Sequence, residues 1–196
     1  MTTRLVLASA SARRKEILAR LGLDFEIRIP HVDESTSPEE DPAGAAVRLA
    51  AAKVQNVPAA PGELVLAADT LVVIDNEILG KPRDAADAER MAARLSGRAH
   101  TVFTGLALAT SDRVECAVES TRVWFRSLDG VERAEYVATA EPLDKAGAYG
   151  IQGFGAAIVE RIEGDYFNVM GLPVQRFLEL LRRHGWRYAF GSLVAL

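Results

Sequence analysis

The sequence has few of the features that secreted and membrane proteins carry. Its 196 residues include one cysteine, Cys116, so no disulfide can join two cysteines of this chain, and a reducing compartment is favoured. No apolar run approaches the roughly 20 residues of a membrane span. The first residues carry a short apolar stretch followed by a basic cluster, the reverse of the order in a signal peptide. We therefore expect a cytoplasmic protein without a membrane partner.

An excess of positive charge is also missing. There are 23 Lys+Arg against 27 Asp+Glu, a formal net charge of −4, whereas a nucleic-acid binder more often shows a basic excess. We expect no nucleic-acid polymer as partner, although the mixed charges leave room for a local basic pocket. With 49% hydrophobic and 26% charged residues, the composition is that of a globular protein. The length predicts one large domain or one domain with two lobes.

The commonest phosphate-binding and hydrolase motifs are absent. The segment GKP at 80–82 lacks a P-loop, because Asp75 stands where its first glycine belongs and Pro82 replaces the required Ser or Thr. The glycines of 147–155 do not form GxGxxG, and no GxSxG elbow occurs. The three histidines are scattered without the spacing of a zinc site.

What the sequence does contain is an alternation of apolar strands and amphipathic helices, with loops at 33–42 and 141–155. The predicted strands are 4–8, 25–29, 63–75, 101–110, 114–127 and 156–162. The predicted helices are 15–22, 43–57, 84–97, 130–139 and 174–185, with Asp84 and Gly97 as caps of the third. Some crossovers are long enough for parallel pairing, and one pair of strands is adjacent. The pattern therefore predicts an α/β fold with a mixed sheet.

Two small hydroxyl residues, Ser9 and Ser11, follow the first strand and precede the first helix. Free N–H groups at a helix start favour an anion, and Arg13 and Arg14 add charge and bidentate geometry. A capped helix with a solvated basic turn would look the same, so both interpretations stay open.

Asp69 and Thr70 interrupt the apolar segment 63–75. Burying a carboxylate in a sheet is costly unless it meets a metal, a cation or several donors. If the strand ends here, Asp69 lies at its carboxyl edge, where α/β proteins place their sites. The alternative is an Asp that turns the chain between two strands.

Other candidates are charged residues in loops and on a helix. Lys53 lies on the alanine-rich helix, Lys81 stands between Gly and Pro, and Asp33 and Glu34 are hard-cation ligands by type. The glycine-rich segment 141–156 carries Tyr149, Gln152 and Phe154. Its glycines suit close approach to a planar ligand, and the Gln152 amide can both donate to and accept from the edge of a base. Together these residues indicate a phosphate ester or nucleotide beside carboxylates that could hold Mg²⁺ or Mn²⁺.

Six segments in order resemble the Maf family of nucleoside triphosphate pyrophosphatases, from about residue 5 to residue 180. They are LASASARRKEIL, LAADTLVVID, ILGKPRDAADAERM, TVFTGLAL, EPLDKAGAYGIQGFGA and GDYFNVMGLP. Ala12 departs from the proline that many members have there, which loosens the turn before Arg13 but removes no functional group. The tail from Trp186 to Leu196 lies outside the resemblance, and its apolar content suggests that it packs on something.

The resemblance implies a single Maf-like domain, 1–196. Its fold would be α/β, with an elongated mixed β-sheet flanked by helices and two lobes around a central cleft, similar to the inosine triphosphate pyrophosphatases. It implies hydrolysis of a nucleoside triphosphate to the monophosphate and pyrophosphate, with a divalent cation, Mg²⁺ or Mn²⁺, and a homodimer.

By the same resemblance, Asp69 is the proton acceptor. The substrate-binding residues are Ser9, Arg13, Arg14, Lys53, Thr70, Lys81 and Gln152, and the metal ligands are Glu34 and Asp69. Of these, Arg13, Thr70 and Gln152 match the branch selective for dTTP and UTP, whereas the 7-methyl-GTP branch has Glu at the position of Gln152. Two alternatives remain: a nucleotide-binding regulator of septum formation, and a pyrophosphatase acting mainly on modified nucleotides.

Overall fold

A mixed seven-stranded sheet flanked by helices forms the centre of the computed structural model, which describes residues 3–37 and 39–196. The strands are β1 Arg4–Leu7, β2 Phe25–Ile27, β3 Glu63–Ile74, β4 Glu77–Leu79, β5 Ala99–Ala109, β6 Val114–Phe125 and β7 Val159–Glu163, and a separate hairpin contains β8 Trp186–Tyr188 and β9 Leu193–Ala195. The α-helices are α1 Ala12–Arg20, α2 Pro42–Asn56, α3 Ala85–Leu95, α4 Gly130–Ala138, α5 Tyr166–Met170 and α6 Val174–Arg183.

The strand order is β2-β1-β3-β5-β6-β7, with β4 paired to the end of β3. β1 runs parallel to both β2 and β3, while β3, β5, β6 and β7 are antiparallel to their neighbours. The parallel strands are joined through α1 and α2. In the antiparallel part, short turns join β3 to β4 and β5 to β6, whereas α3 lies between β4 and β5 and α4 between β6 and β7. The predicted α/β class with a mixed sheet is confirmed, and the division into two lobes stays a prediction.

The two faces of the sheet are buried under different helices, because successive side chains of a strand point to opposite sides. On β3, Leu64, Leu66 and Ala68 belong to the core under α1 and α6, whereas Val65 and Ala67 belong to the core under α2. Continuing this alternation places Asp69 on the α2 face and Thr70 on the α1 face. The side chains of Asp69 and Thr70 therefore point to opposite sides of the sheet.

β3 continues through Asp69 and Thr70 without a break, and here the interruption expected from the sequence is wrong. Asp69 pairs with Gly105 and Thr70 with Thr104 in the antiparallel ladder to β5. The ladder to β5 thus continues past both residues, so the polar side chains need partners but the strand need not end. Asp69 lies in the middle of a buried strand, neither at its carboxyl edge nor in a turn between two strands.

Gly105 lets α2 lie directly on the sheet. A Cβ atom at Gly105 would be 2.2 Å from the backbone carbonyl of Ala46, so any side chain at this position would push the helix away. Because of this approach, the last turn of α2, which carries Lys53, reaches the strand that carries Asp69.

Helix boundaries follow their caps. The first helix begins at Ala12 rather than at the predicted residue 15, because Ser11 caps it by accepting a 3.4 Å hydrogen bond from the amide of Arg14. Asp84 caps α3 as predicted, accepting from Asp87 N at 2.7 Å. Ser96 is the C-terminal cap residue of α3, and Gly97 follows it with a positive φ of 68°.

The predicted loop 141–155 contains three short 3₁₀ turns, Glu141–Asp144, Ala146–Ala148 and Gly153–Ala157. The last turn closes with a bond from Ile158 N to Gly155 O, so the next strand begins at Val159 and not at the predicted residue 156.

The tail packs on the body as expected. Trp186, Tyr188 and Leu193 lie against the core under α1 and α6, and the Tyr188 hydroxyl donates to Leu21 O at 2.7 Å. Within residues 3–37 and 39–196, no helix combines the length and the apolar character needed to cross a membrane.

Buried His100 makes stability depend on pH. Its Nε2 lies 2.8 Å from the Tyr149 hydroxyl, its ring packs edge-on against Phe125 and Tyr149, and burial lowers its pKa to about 4. The unfolded chain protonates this imidazole near pH 6.5, so acidification favours the unfolded state. The stabilisation is complete above pH 6.5 and is lost as pH falls towards 4.

We expect His100→Gln to remove about 3 kcal/mol of the acid-induced loss of unfolding free energy between pH 7 and pH 4. Urea denaturation at several pH values measures this loss. His31→Gln, a change at an exposed histidine, should keep the wild-type pH slope. An equal slope in wild type and His100→Gln would contradict the assignment.

Candidate functional site

A cleft of about 600 Å³ crosses the molecule between the β1–α1 turn, the middle of β3, α2 and the 141–155 segment. All nine residues predicted for the site line it: Ser9, Arg13, Arg14, Glu34, Lys53, Asp69, Thr70, Lys81 and Gln152. Five cationic and three carboxylate side chains contribute to the lining, in a protein whose formal net charge is −4. The cleft therefore concentrates positive charge and favours an anionic ligand.

One lysine holds the two predicted metal ligands. Lys53 Nζ lies 2.5 Å from Asp69 Oδ1 and 2.7 Å from Glu34 Oε1. The side chains of Lys53 and Asp69 are 7% and 10% exposed, whereas that of Glu34 is 53% exposed. Charges buried to this extent are tolerated only when they are paired. Lys53 thus neutralises Asp69 inside the sheet and ties the loop that carries Glu34 to the same point.

Glu34 is ionised in this arrangement. Partial burial by itself would raise its pKa, but the hydrogen bond from Lys53 and the charges of Lys53, Lys81 and Arg14 outweigh that effect and lower the pKa below its ordinary value. The cleft therefore presents an anionic oxygen ligand at neutral pH.

Arg14 is held by three acceptors from three parts of the chain. Nε donates to Gly171 O at 2.8 Å, Nη1 to Ser9 Oγ at 3.1 Å and Nη2 to Thr70 Oγ1 at 3.1 Å. Burial lowers its pKa, although Asp69 acts in the opposite direction. A guanidinium has five N–H donors, so two remain for a ligand.

Arg13 and Lys81 line the cleft differently. In the part of the chain that the structure describes, neither side chain has a hydrogen-bond or ion-pair partner. In this they differ from Arg14 and Lys53, which are both held by such contacts. Of the two interpretations of the segment around Ser9 and Ser11, the capped helix is confirmed. Anion binding stays a prediction, and Arg13 in the first turn lines the cleft.

Sequence reasoning missed a polar chain under the floor of the cleft. Thr104 Oγ1 donates to Asn168 O at 2.9 Å, so its oxygen accepts from Thr70 Oγ1 at 3.0 Å, and Thr70 in turn accepts from Arg14. Asn168 Nδ2 donates to Val102 O and Thr121 Oγ1, both at 3.0 Å. The available signal was a threonine beside the apolar half of a strand and a lone asparagine between Phe and Val. Their partners are more than 30 residues away in the sequence.

Sequence reasoning also passed over the pair Asp144 and Lys145, which lines the cleft. Lys145 Nζ lies 2.6 Å from Asp144 Oδ1 and donates to Glu141 O at 2.6 Å. This ammonium is therefore fastened to the rim of the glycine-rich segment.

The Gln152 side chain has an unsatisfied acceptor. Its Oε1 is buried and has no hydrogen-bond partner among residues 3–37 and 39–196. A buried polar atom without a partner is costly, so a donor from a bound ligand would stabilise this arrangement.

The donor set of the cleft suits a hard divalent cation that arrives with phosphate. No group of three or more His, Cys, Asp and Glu side chains that could enclose a metal occurs within the described ranges. Two carboxylates, Glu34 and Asp69, do share one lysine. Mg²⁺ is commonly held by one or two carboxylates, with substrate phosphates and water completing its shell, so the residues fit such an ion.

Comparisons with known proteins agree over nearly the whole chain. A family model described as Maf-like protein matches residues 4–184. The chain is 49% identical over 183 residues to the dTTP/UTP pyrophosphatase of Symbiobacterium thermophilum, covering 93% of this chain and 94% of that one. It is 53% identical over 186 residues to the protein of the same name from Moorella thermoacetica, covering 93% and 96%.

Solved structures show a looser likeness. A HAM1 protein from Coxiella burnetii aligns over 81% of each chain with 18% identity and a TM-score of 0.48. The Staphylococcus aureus Ham1 protein aligns over 80% of each chain with 14% identity and a TM-score of 0.46.

Removing the Lys53 ammonium should destabilise the fold by leaving Asp69 buried and uncompensated. We expect Lys53→Met to lower the free energy of unfolding by about 3–5 kcal/mol, as measured by urea denaturation. Adding Asp69→Asn should restore at least half of that loss, because a neutral amide needs no counter-charge. Lys15→Met, on α1, should change stability by less than about 0.5 kcal/mol. A double variant no more stable than Lys53→Met would contradict this pairing.

Proposed function

Because the chain belongs to the Maf family, we propose that it hydrolyses nucleoside triphosphates, dTTP and UTP foremost, to the nucleoside monophosphate and pyrophosphate. The observation that carries the proposal is the convergence of nine separately predicted residues on one positively charged cleft. We further propose a divalent cation, Mg²⁺ or Mn²⁺, as cofactor, and removal of unwanted nucleotides from the cytoplasmic pool as the purpose.

The charge of the triphosphate is neutralised by two kinds of cationic side chain, one held in place by hydrogen bonds and one free to move. Arg13 and Lys81 line the cleft and can follow the phosphates as they move, since their side chains are not tied to described residues. Arg14 is fixed by its three acceptors and offers its remaining donors in a set direction. Preorganised donors of this kind stabilise the charge that develops on the leaving pyrophosphate.

Glu34 and Asp69 would hold the divalent cation together with phosphate oxygens. When bound, it would draw charge from the α-phosphorus and make that atom more open to attack.

Asp69 is the proton acceptor in the proposed reaction. Its Oδ1 is engaged by Lys53, which leaves Oδ2 to orient a water and take its proton. The water oxygen bonds to the α-phosphorus as the bond from that phosphorus to the α–β bridging oxygen breaks. The electron pair of that bond leaves with pyrophosphate, and Arg13, Arg14 and Lys81 balance the charge.

Gln152 selects the base. Its buried Oε1 needs a donor, and the ring N3–H of uracil or thymine supplies one, while the amide NH₂ can donate to the adjacent ring carbonyl. Cytosine has no hydrogen at N3, so in the same pose its N3 lone pair would face Oε1 and leave that oxygen without a donor. A site built on such complementarity rejects the wrong base strongly.

Asp69→Asn should lower kcat/KM for dTTP by about 10²–10⁴-fold while the circular dichroism spectrum stays that of the wild type. Asp75→Asn, at the exposed turn after β3, is the matched control and should keep its activity. Pyrophosphate release is measured with dTTP, UTP, CTP, 7-methyl-GTP, ITP and modified uridine triphosphates, each with Mg²⁺, Mn²⁺ or chelator. Near-normal turnover in Asp69→Asn would overturn the role of Asp69, and nucleotide binding without turnover in the wild type would favour a regulator.

Gln152→Glu should lower kcat/KM for dTTP and UTP by about 10²-fold, because the carboxylate cannot donate to the ring carbonyl. Its thermal midpoint should stay close to that of the wild type. Gln175→Glu, on the exposed side of α6, adds the same charge away from the cleft and should leave the substrate order intact. A wild-type ranking of nucleotides in Gln152→Glu would show that Gln152 does not read the base.

A further inference from the structure

The glycine-rich segment that carries Gln152 is fastened from outside the cleft by one carboxylate. Glu141 Oε2 accepts from Phe154 N at 2.9 Å, and Glu141 Oε1 accepts from Gly155 N at 2.9 Å. Oε1 also accepts from the Tyr136 hydroxyl at 3.0 Å. The backbone immediately after Gln152 is therefore tied to a single side chain at the start of the first 3₁₀ turn.

The backbone before Gln152 is tied to the partner of that carboxylate. The Tyr136 hydroxyl, which donates to Glu141, accepts from Gly150 N at 3.2 Å. Burial and the nearby Glu141 carboxylate raise the pKa of Tyr136, so the hydroxyl keeps the proton that it donates. Gly150 and Phe154, two residues on either side of Gln152, thus both depend on the Tyr136–Glu141 pair.

The segment has little room to move within these ties. A Cβ atom at Gly155 would lie 1.8 Å from Gly150 O, and one at Gly153, whose φ is 71°, would lie 2.3 Å from Glu141 Oε2. Ile151, next to Gln152, is buried in the core under α1 and α6. The loop is closed on itself around Gln152, with the Glu141 carboxylate packed against Gly153.

Gln152 lines the cleft, whereas Tyr136 and Glu141 are not among its lining residues. Their side chains therefore act on the ligand indirectly, through the position of the segment that carries Gln152 and that includes Gly150, another lining residue. Discrimination by paired hydrogen bonds depends on placing donor and acceptor within fractions of an ångström.

We propose that Tyr136 and Glu141 are positioning residues that set the place of the Gln152 amide and thereby the choice of base. This inference rests on the proposed function of Gln152. It adds a requirement for base selection that lies outside the cleft and comes from α4 and the turn that follows.

The test uses Glu141→Gln, which turns an NH₂ donor towards backbone N–H groups, and Tyr136→Phe, which removes only the shared hydroxyl. Glu132→Gln is the matched control, because Glu132 belongs to the capping box of the same α4 but bonds to Asp129 N. Hydrogen exchange of the peptide 146–158 in the free protein measures how firmly the bonds from Tyr136 and Glu141 hold this segment. The ratio of kcat/KM for dTTP to that for CTP measures base selection.

We expect faster exchange of 146–158 in both variants and a fall of about tenfold in the dTTP/CTP ratio. The fall should come from a higher KM for dTTP, with kcat changed by less than about threefold. Glu132→Gln should match the wild type in both measurements. In a Gln152→Ala background, Glu141→Gln should cause no further fall in the ratio, because the residue that it positions is gone.

Two results would overturn the proposal: an unaltered dTTP/CTP ratio, including the case in which activity falls equally with every nucleotide, or unaltered exchange of 146–158. If Glu141→Gln does not fold, Tyr136→Phe decides the matter. If the wild type hydrolyses none of the nucleotides, the proposed function fails. The positioning role is then tested by calorimetry, which measures the binding affinities for dTTP and CTP. A smaller preference for dTTP in the two variants than in the wild type supports that role, and an unchanged preference contradicts it.

Discussion

The buried ion pair between Lys53 and Asp69 is the interaction on which the rest of the site depends. A carboxylate in the middle of a buried strand, with its side chain 10% exposed, would be untenable without a counter-charge. Lys53 supplies that charge from α2, and it reaches the strand because Gly105 allows the helix to lie directly on the sheet. The same ammonium holds Glu34, so one lysine draws a strand, a helix and a loop to a single point.

The opposite face of β3 carries a hydrogen-bonded network that contains an arginine but no carboxylate. Thr70 follows Asp69 directly but faces α1, where it accepts from Arg14 and donates to Thr104. Arg14 is thereby fixed within the protein, while Arg13, its neighbour, lines the cleft without a described partner. In the proposed reaction, fixed and free cations side by side would allow the cleft both to orient the triphosphate and to follow it as the bond breaks.

Much of the fold could be predicted because periodicity, caps and turn residues are local. The mixed sheet, the α3 cap at Asp84 and the packed tail were all expected, and every residue proposed for the site lines one cleft. The strand predicted for 63–75 is β3. The hypothesis that it ends at Asp69 was wrong, because a polar pair in an apolar run resembles a turn when its partners are unknown. Thr104 and Asn168 went unnoticed for the same reason, since an isolated polar residue has no signature until its partner is placed.

The sequence by itself determined which residue types were available, the alternation of elements and, through six ordered segments, the family. Only the tertiary structure decided which charges meet. It paired Lys53 with Asp69 across 16 residues and Arg14 with Gly171 across 157, and it used Tyr136 and Glu141 to close a loop around Gln152. Such contacts depend on how closely helices and loops approach the sheet, which is set by packing of the whole chain and leaves no local pattern to read.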